Sequence, residues 1–225
     1  MKIQTPSPWE SPISSASIFE SKKTISNLKA WKDGLLFLIT EPDEGNINIL
    51  MYSDTNSVTR RVSPKGFNIR SKIHEYGGRP FTAEGNDIFY CNFSDQEIYS
   101  QSFLPESNTF SSPVAVTDSL GDKVRYADLT IDRKRNRLIT VREDHRFIKT
   151  SEDEAKNSLI TVELNTAVFP TGIEAQTTLF EGSDFLSSPN ISEDGENLAF
   201  ISWQHPNMPW DNTELIIAKM ADEGH

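Results

Sequence analysis

One arrangement occurs four times along this chain, and it limits the fold more than any other feature. It is a short apolar strand, a tight polar turn, a second apolar strand, a loop and a third strand. Residues 196–219 show it plainly, reading ENLAFISW, then QHPNMPWDN, then TELIIAK. Asn197–Trp203 and Thr213–Lys219 have the β-branched and aromatic content of strands. Pro206 and Pro209 stop a helix or regular strand from crossing the loop between them. Asp194-Gly195, just upstream, is a hairpin signal.

The same order can be followed from the start. The first unit has strands over Ile25–Trp31, Leu35–Thr40, Ile47–Ser53 and Val58–Ser63. The second has Tyr76–Thr82, Ile88–Asn92, Glu97–Phe103 and Pro113–Thr117. The third has Ala127–Ile131, Arg137–Arg142, Ser158–Leu164 and Thr177–Phe180, with a long polar loop over Glu143–Asn157. The fourth has Ser188–Ile191, Asn197–Trp203 and Thr213–Lys219. Leu36, Ile88, Leu138 and Leu198 are equivalent in the second strands, at steps of 52, 50 and 60. Ile49, Ile98, Leu159 and Leu215 are equivalent in the third strands, at steps of 49, 61 and 56.

Four short strands about every 50 residues is the period of a β-propeller blade. A β-sandwich also has many short strands, but it does not repeat this order four times. The expected fold is therefore all-β: a partial β-propeller of about four four-stranded blades, over residues 18–66, 67–120, 121–183 and 184–220. The last blade lacks its outer strand, which favours the first part of a larger propeller over a small ring. Residues 1–17, rich in Ser and Pro, form an N-terminal arm that Trp9 and Ile13 could pin down.

Composition excludes several classes. The net charge of −11 argues against a nucleic-acid or anionic-membrane surface, which needs clustered Lys and Arg. The basic run Arg133-Lys134-Arg135-Asn136-Arg137 is the local exception and is expected to be a solvated turn. Leu35–Ile39 is among the longest apolar runs, far short of a membrane span, and the N-terminus has no signal-peptide pattern. The single Cys91 suits a reducing cytoplasm. No phosphate loop, dinucleotide fingerprint or calcium loop is present, so no cofactor is expected. His74, His145 and His205 come from separate units without ligand spacing, so no metal is expected either.

Several stretches together resemble the N-terminal propeller of the prolyl oligopeptidase family of serine peptidases, in its acylaminoacyl-peptidase and dipeptidyl-aminopeptidase-like branch. They are Pro8–Ile13, Ile69-Arg70 with His74-Glu75-Tyr76-Gly77-Gly78, Asn92–Gln96 and Arg125–Asp128. Val141–His145, Ser187–Pro189 and Trp203–Asp211 continue the series in the family's order. Gln204 stands where the family usually has an acidic residue. The resemblance implies a propeller that covers an α/β-hydrolase domain and gates access of peptides to its Ser nucleophile. This sequence has no Gly-x-Ser-x-Gly, and Gly182-Ser183 lacks its spacing. No catalytic residue is therefore assigned, and the chain alone is expected to be inactive.

The candidate site residues follow from strand ends and loops, which face a channel or a partner on a propeller. Arg142, Glu143, Asp144 and His145 could bind peptide ends, with Arg142 on a carboxylate and Glu143 or Asp144 on an α-amino group. They could equally form an ion-pair network between blades. His74 and Glu75 are channel-lining or blade-to-blade partners. Trp203, His205, Trp210 and Asp211 form a loop that either docks on a partner or packs on itself. The expected partner is a peptide substrate, reached through an absent or separately encoded α/β-hydrolase domain. The alternative is a stand-alone propeller scaffold that binds a protein or peptide.

Overall fold

Tight turns set the sheet order. Lys32 and Asp33 join Thr24–Trp31 (β1) to Gly34–Glu41 (β2), pairing Trp31 with Gly34. Ile47–Ser53 (β3) and Thr59–Arg61 (β4) complete the first antiparallel sheet. The computed structural model describes residues 22–150, 154–164 and 168–221. The arm over residues 1–17, with Trp9 and Ile13, lies outside the described residues.

The second sheet is Phe81–Glu84 (β5), Asp87–Cys91 (β6), Ile98–Leu104 (β7) and Thr109–Phe110 (β8), with Val114–Ala115 (β9) also on β7. Gly85, at φ 58°, takes the left-handed turn between β5 and β6. The third sheet is Val124–Asp132 (β10), Arg137–Asp144 (β11), Lys156–Glu163 (β12) and Thr177–Glu181 (β13). The fourth is Phe185–Ile191 (β14), Asn197–Trp203 (β15) and Glu214–Lys219 (β16). The molecule is thus four blades of a β-propeller, and the last blade has three strands among the described residues.

Several expected boundaries shift; the inner strands of blades three and four, for instance, start three residues early, at Val124 and Phe185. The innermost strand of blade two starts at Phe81 rather than Tyr76, because residues 73–76 form a turn and Gly77 sits at φ 90°. The expected strand over Pro113–Thr117 is reduced to β9. Its Thr117 instead presents a hydroxyl to the N–H of Ile98 at 2.9 Å. β11 runs two residues beyond Arg142, to Asp144.

Apolar layers lie between successive blades. Leu36, Leu38, Leu50 and Tyr52 of blade one pack with Ile88 and Tyr90 of blade two. Phe89 and Ile98 meet Tyr126, Leu138 and Ile160 of blade three. Ile139, Val141 and Leu159 meet Leu186, Leu198 and Phe200 of blade four. Such alternation, with every second residue on a given face, is the period-2 consequence of the pleat.

The inner strands of blades one, three and four share a feature that the residue pattern did not announce. Pairing slips between Ser26 and Lys29, between Ala127 and Thr130, and between Ser187 and Asn190. At these bulges Asn27, Asp128 and Ser188 have φ of 51°, 57° and 56°.

The basic turn is not simply solvated. Arg133 bridges to Glu84 and Asp87 of blade two, both at 3.1 Å. Lys134 pairs with Glu196 of blade four. Arg135 and Arg137 close on the buried carboxylate of Asp132 at 3.3 and 3.0 Å. The run ties three blades together because their hairpins, each carrying acids, converge on it.

Candidate functional site

A cavity of about 500 Å³ opens where blades three and four meet, under a loop from blade two. Its carboxylates come from Glu75, Glu143, Glu154 and Asp184, and among the described residues no lysine, arginine, serine, threonine or cysteine lines it. Tyr76, Ile148, Phe185 and Met208 provide apolar wall.

Glu143 is the centre of the floor. It lies on β11 on the same face as Val141, in register with Arg125 and Asn157, and so points toward blade four. Its side chain is 5% exposed. Oε2 accepts the backbone N–H of His74 at 2.7 Å, and Oε1 meets His145 Nε2 at 2.5 Å. Arg125 Nη1 lies 3.4 Å from Oε1 and 2.6 Å from Glu75 Oε1. One buried carboxylate therefore holds two candidate histidines and, through Arg125, the candidate Glu75.

The blade-two loop is strained at this point. His74 and Glu75 have φ of 53° and 64°, a conformation uncommon for residues other than glycine. Glu75 N–H to Lys72 O at 3.0 Å and Gly77 N–H to Ile73 O at 2.8 Å close the turn. The Glu143 carboxylate fixes the His74 amide from the other side.

The His74 ring is enclosed by aromatic groups. Phe185 and Trp203 lie edge-on at 5.4 and 5.5 Å, and Tyr76 at 5.8 Å. Its Nε2 donates to Asn157 Oδ1 at 3.2 Å, while Asn157 Nδ2 donates to Asp184 O at 2.8 Å. Burial lowers the His74 pKa below 6.5, outweighing the opposing effects of Glu143, Asn157 and Asp128. The ring is thus a neutral Nε2–H donor at neutral pH. Burial, with Glu143 and Asp128 adding to it, raises the Tyr76 pKa.

The remaining candidates fall in three places. Arg142 and Asp144 leave β11 on the opposite face, toward blade two, because neighbouring strand residues alternate. Arg142 Nη1 donates to Gln176 Oε1 at 3.0 Å, and burial lowers its pKa. Asp144 is bonded by Arg146 at 2.6 Å; its burial pushes the pKa up, but Arg146 outweighs that and leaves it lowered. Trp203 is buried and stacks on Phe185 at 5.3 Å and 13°. His205 packs on Phe185 at 4.8 Å, its N–H bonds Asp184 Oδ2 at 2.9 Å, and its Nε2 is 3.6 Å from Glu154. Asp211 Oδ2 accepts the Met208 N–H at 3.0 Å within its own loop. Trp210 is 74% exposed and outside the cavity.

The structure therefore brings together His74, Glu75, Glu143 and His145, with His205 at their edge, and separates Arg142 and Asp144 from them. Asp184, Phe185 and Glu154 were not singled out from the sequence. Asp184-Phe185 lies inside the expected fourth blade but ahead of its expected first strand at Ser188, and the apolar pair Phe185-Leu186 is the available clue. Among the described residues, no three His, Cys, Asp or Glu side chains are grouped to hold a metal. No helix among them is long and apolar enough to cross a membrane.

No protein-family model and no curated protein matches the chain. Solved structures do. A puromycin-hydrolysing peptidase of Mycobacterium tuberculosis matches with a TM-score of 0.78 and 26% identity, over 95% of this chain and 33% of that one. A puromycin hydrolase matches with a TM-score of 0.80 and 23% identity, over 96% of this chain and 33% of that one. TolB from Acinetobacter baumannii, at 0.52 and 10% identity over 88% of this chain and 41% of that one, shares the fold alone. The chain spans about a third of the length of the two peptidases, and what it shares with that third is its fold.

Proposed function

We propose that this chain is the substrate-gating propeller portion of a prolyl oligopeptidase-family serine peptidase, in the acylaminoacyl-peptidase and dipeptidyl-aminopeptidase-like branch, working in the cytoplasm. Hydrolysis belongs to an α/β-hydrolase domain outside these 225 residues. The propeller's part is to admit and orient peptides. The observation that carries this reading is the cavity between blades three and four. Among the described residues four carboxylates line it with no lysine or arginine, so it favours a positively charged part of a peptide. The peptidase neighbours support the enzyme class. A stand-alone scaffold for a protein partner is the second reading, favoured by the exposed Trp210 ring.

The test is peptide binding to the purified chain by calorimetry, in parallel with aminoacyl and acyl-aminoacyl chromogenic substrates. Binding of cationic peptides without turnover is expected. Failure to bind any peptide, or turnover that survives repurification, overturns the reading.

A further inference from the structure

We infer that the cavity between blades three and four takes the whole side chain of a basic residue, Lys or Arg, within a peptide. The inference rests on the reading of this cavity as a peptide-binding site, and it names the class of peptide.

Size argues first. An ammonium group is about as large as a water molecule, roughly 30 Å³. The cavity, at about 500 Å³, is far larger than a terminal ammonium group requires. The arrangement of polar and apolar groups argues second. Ile148 and Met208, each 38% exposed, stand with Phe185 along the way in. They offer a path for a methylene stem, which long cationic side chains lay against apolar surface. Glu143, 5% exposed, lies at the floor, and Asp184 stands beside Phe185.

Charge argues third. Asp184 receives the His205 N–H but has no lysine or arginine partner among the described residues. Among the described residues Glu154 meets the His205 ring, at 3.6 Å, and no lysine or arginine. Arg125 is bonded to Glu75 and Glu143, so part of their charge is already answered. The unanswered charge therefore sits at Asp184 and Glu154. A guanidinium or ammonium head brought in along the apolar wall meets it there. Phe185, stacked on Trp203, presents an aromatic surface to the same head.

The experiment titrates the full chain with N-acetyl-arginine amide, the citrulline counterpart, and arginine amide with a free α-amine. Citrulline keeps the shape and loses the charge. The two arginine compounds are expected to bind alike, with citrulline weaker by roughly tenfold or more. Asp184→Asn is expected to weaken the arginine compounds by about tenfold and leave citrulline unchanged, with an unaltered melting curve. Equal binding of arginine and citrulline compounds overturns the inference and leaves peptide binding standing. Loss of binding on acetylation, with citrulline tolerated, also overturns it and assigns the cavity to a terminal ammonium. If longer peptides and all three compounds fail to bind, both the inference and the reading beneath it fall.

Discussion

Asp128 Oδ2, in the innermost strand of blade three, accepts the backbone N–H of Ser188, in that of blade four, at 2.7 Å. Its other oxygen accepts the N–H of Arg79 of blade two, also at 2.7 Å. Asp128 is 6% exposed and sits on a bulge at φ 57°. The bulge turns the carboxylate out of its own sheet, so one side chain serves the inner edges of three blades.

Asp128→Ala strands the N–H of Ser188 in β14 and that of Arg79 just ahead of β5. We expect a loss of about 3 kcal/mol, within the range for removing two charge-assisted bonds to part-buried donors. For a chain of this size that is a drop of roughly 6–12 °C in Tm. A thermal melt showing a change under about 1 kcal/mol would refute the three-blade role.

Gly78 tests the same junction from the other side. A Cβ there would lie 2.8 Å from the Ala127 Cβ and 3.0 Å from Asp128 Oδ1. Gly78→Ala should cost about 1–3 kcal/mol through overpacking. A denaturant midpoint equal to that of the parent chain would contradict this.

His74 should make stability depend on pH. Burial keeps its folded pKa below 6.5, so the unfolded chain takes up the proton more readily. Its contribution is complete above about pH 6.5, declines as pH falls toward the folded pKa, and is constant below that. Glu143, Asp128 and Asn157 oppose the shift without reversing it. His74→Gln should flatten the slope of unfolding free energy against pH below 6.5. An unchanged slope would remove His74 as the cause.

Arg142 and Glu143 should be separable although they are adjacent. Glu143→Gln is expected to weaken cationic-peptide binding by roughly tenfold, since its carboxylate holds the His74 loop, His145 and Arg125 in place at the cavity. Arg142→Ala is expected to leave that binding unchanged, because its side chain lies on the blade-two side of β11. Calorimetry on both variants decides it, and equal effects would contradict the alternation described above.

The outer face of blade four predicts self-association. Leu215 and Ile217 pair with Ile201 and Ala199, on the face opposite Leu198 and Phe200. They are 68% and 66% exposed, with no sheet packed over them among the described residues. Light scattering should show concentration-dependent association of the purified chain, reduced by Leu215→Lys with Ile217→Lys. A parent chain that stays monomeric across the concentration range would refute it.

The blades can be read from the amino-acid string alone. Residues such as Leu36, Ile88, Leu138 and Leu198 recur because each second strand must bury one face on a neighbour, and hairpin residues mark where each strand turns. These are local rules with a short period, so a linear string carries them. It also carried the chemistry of His74, Glu75, Glu143 and His145, as charged and titratable groups at strand ends.

Which of those groups meet depends on how the blades pack. Glu143 and His74 are 69 residues apart and become partners because the blade-two loop crosses onto blade three. Arg142 and Glu143 are neighbours in sequence and part company because β11 continues to Asp144, and a pleated strand sends successive side chains to opposite faces. The bulges at Asn27, Asp128 and Ser188 were hidden for a related reason. No residue type demands a left-handed conformation there; it is imposed by the close approach of neighbouring inner strands. Asp184 joined the site in the same way, through packing between blades, where contact depends on three-dimensional position and not on spacing along the chain.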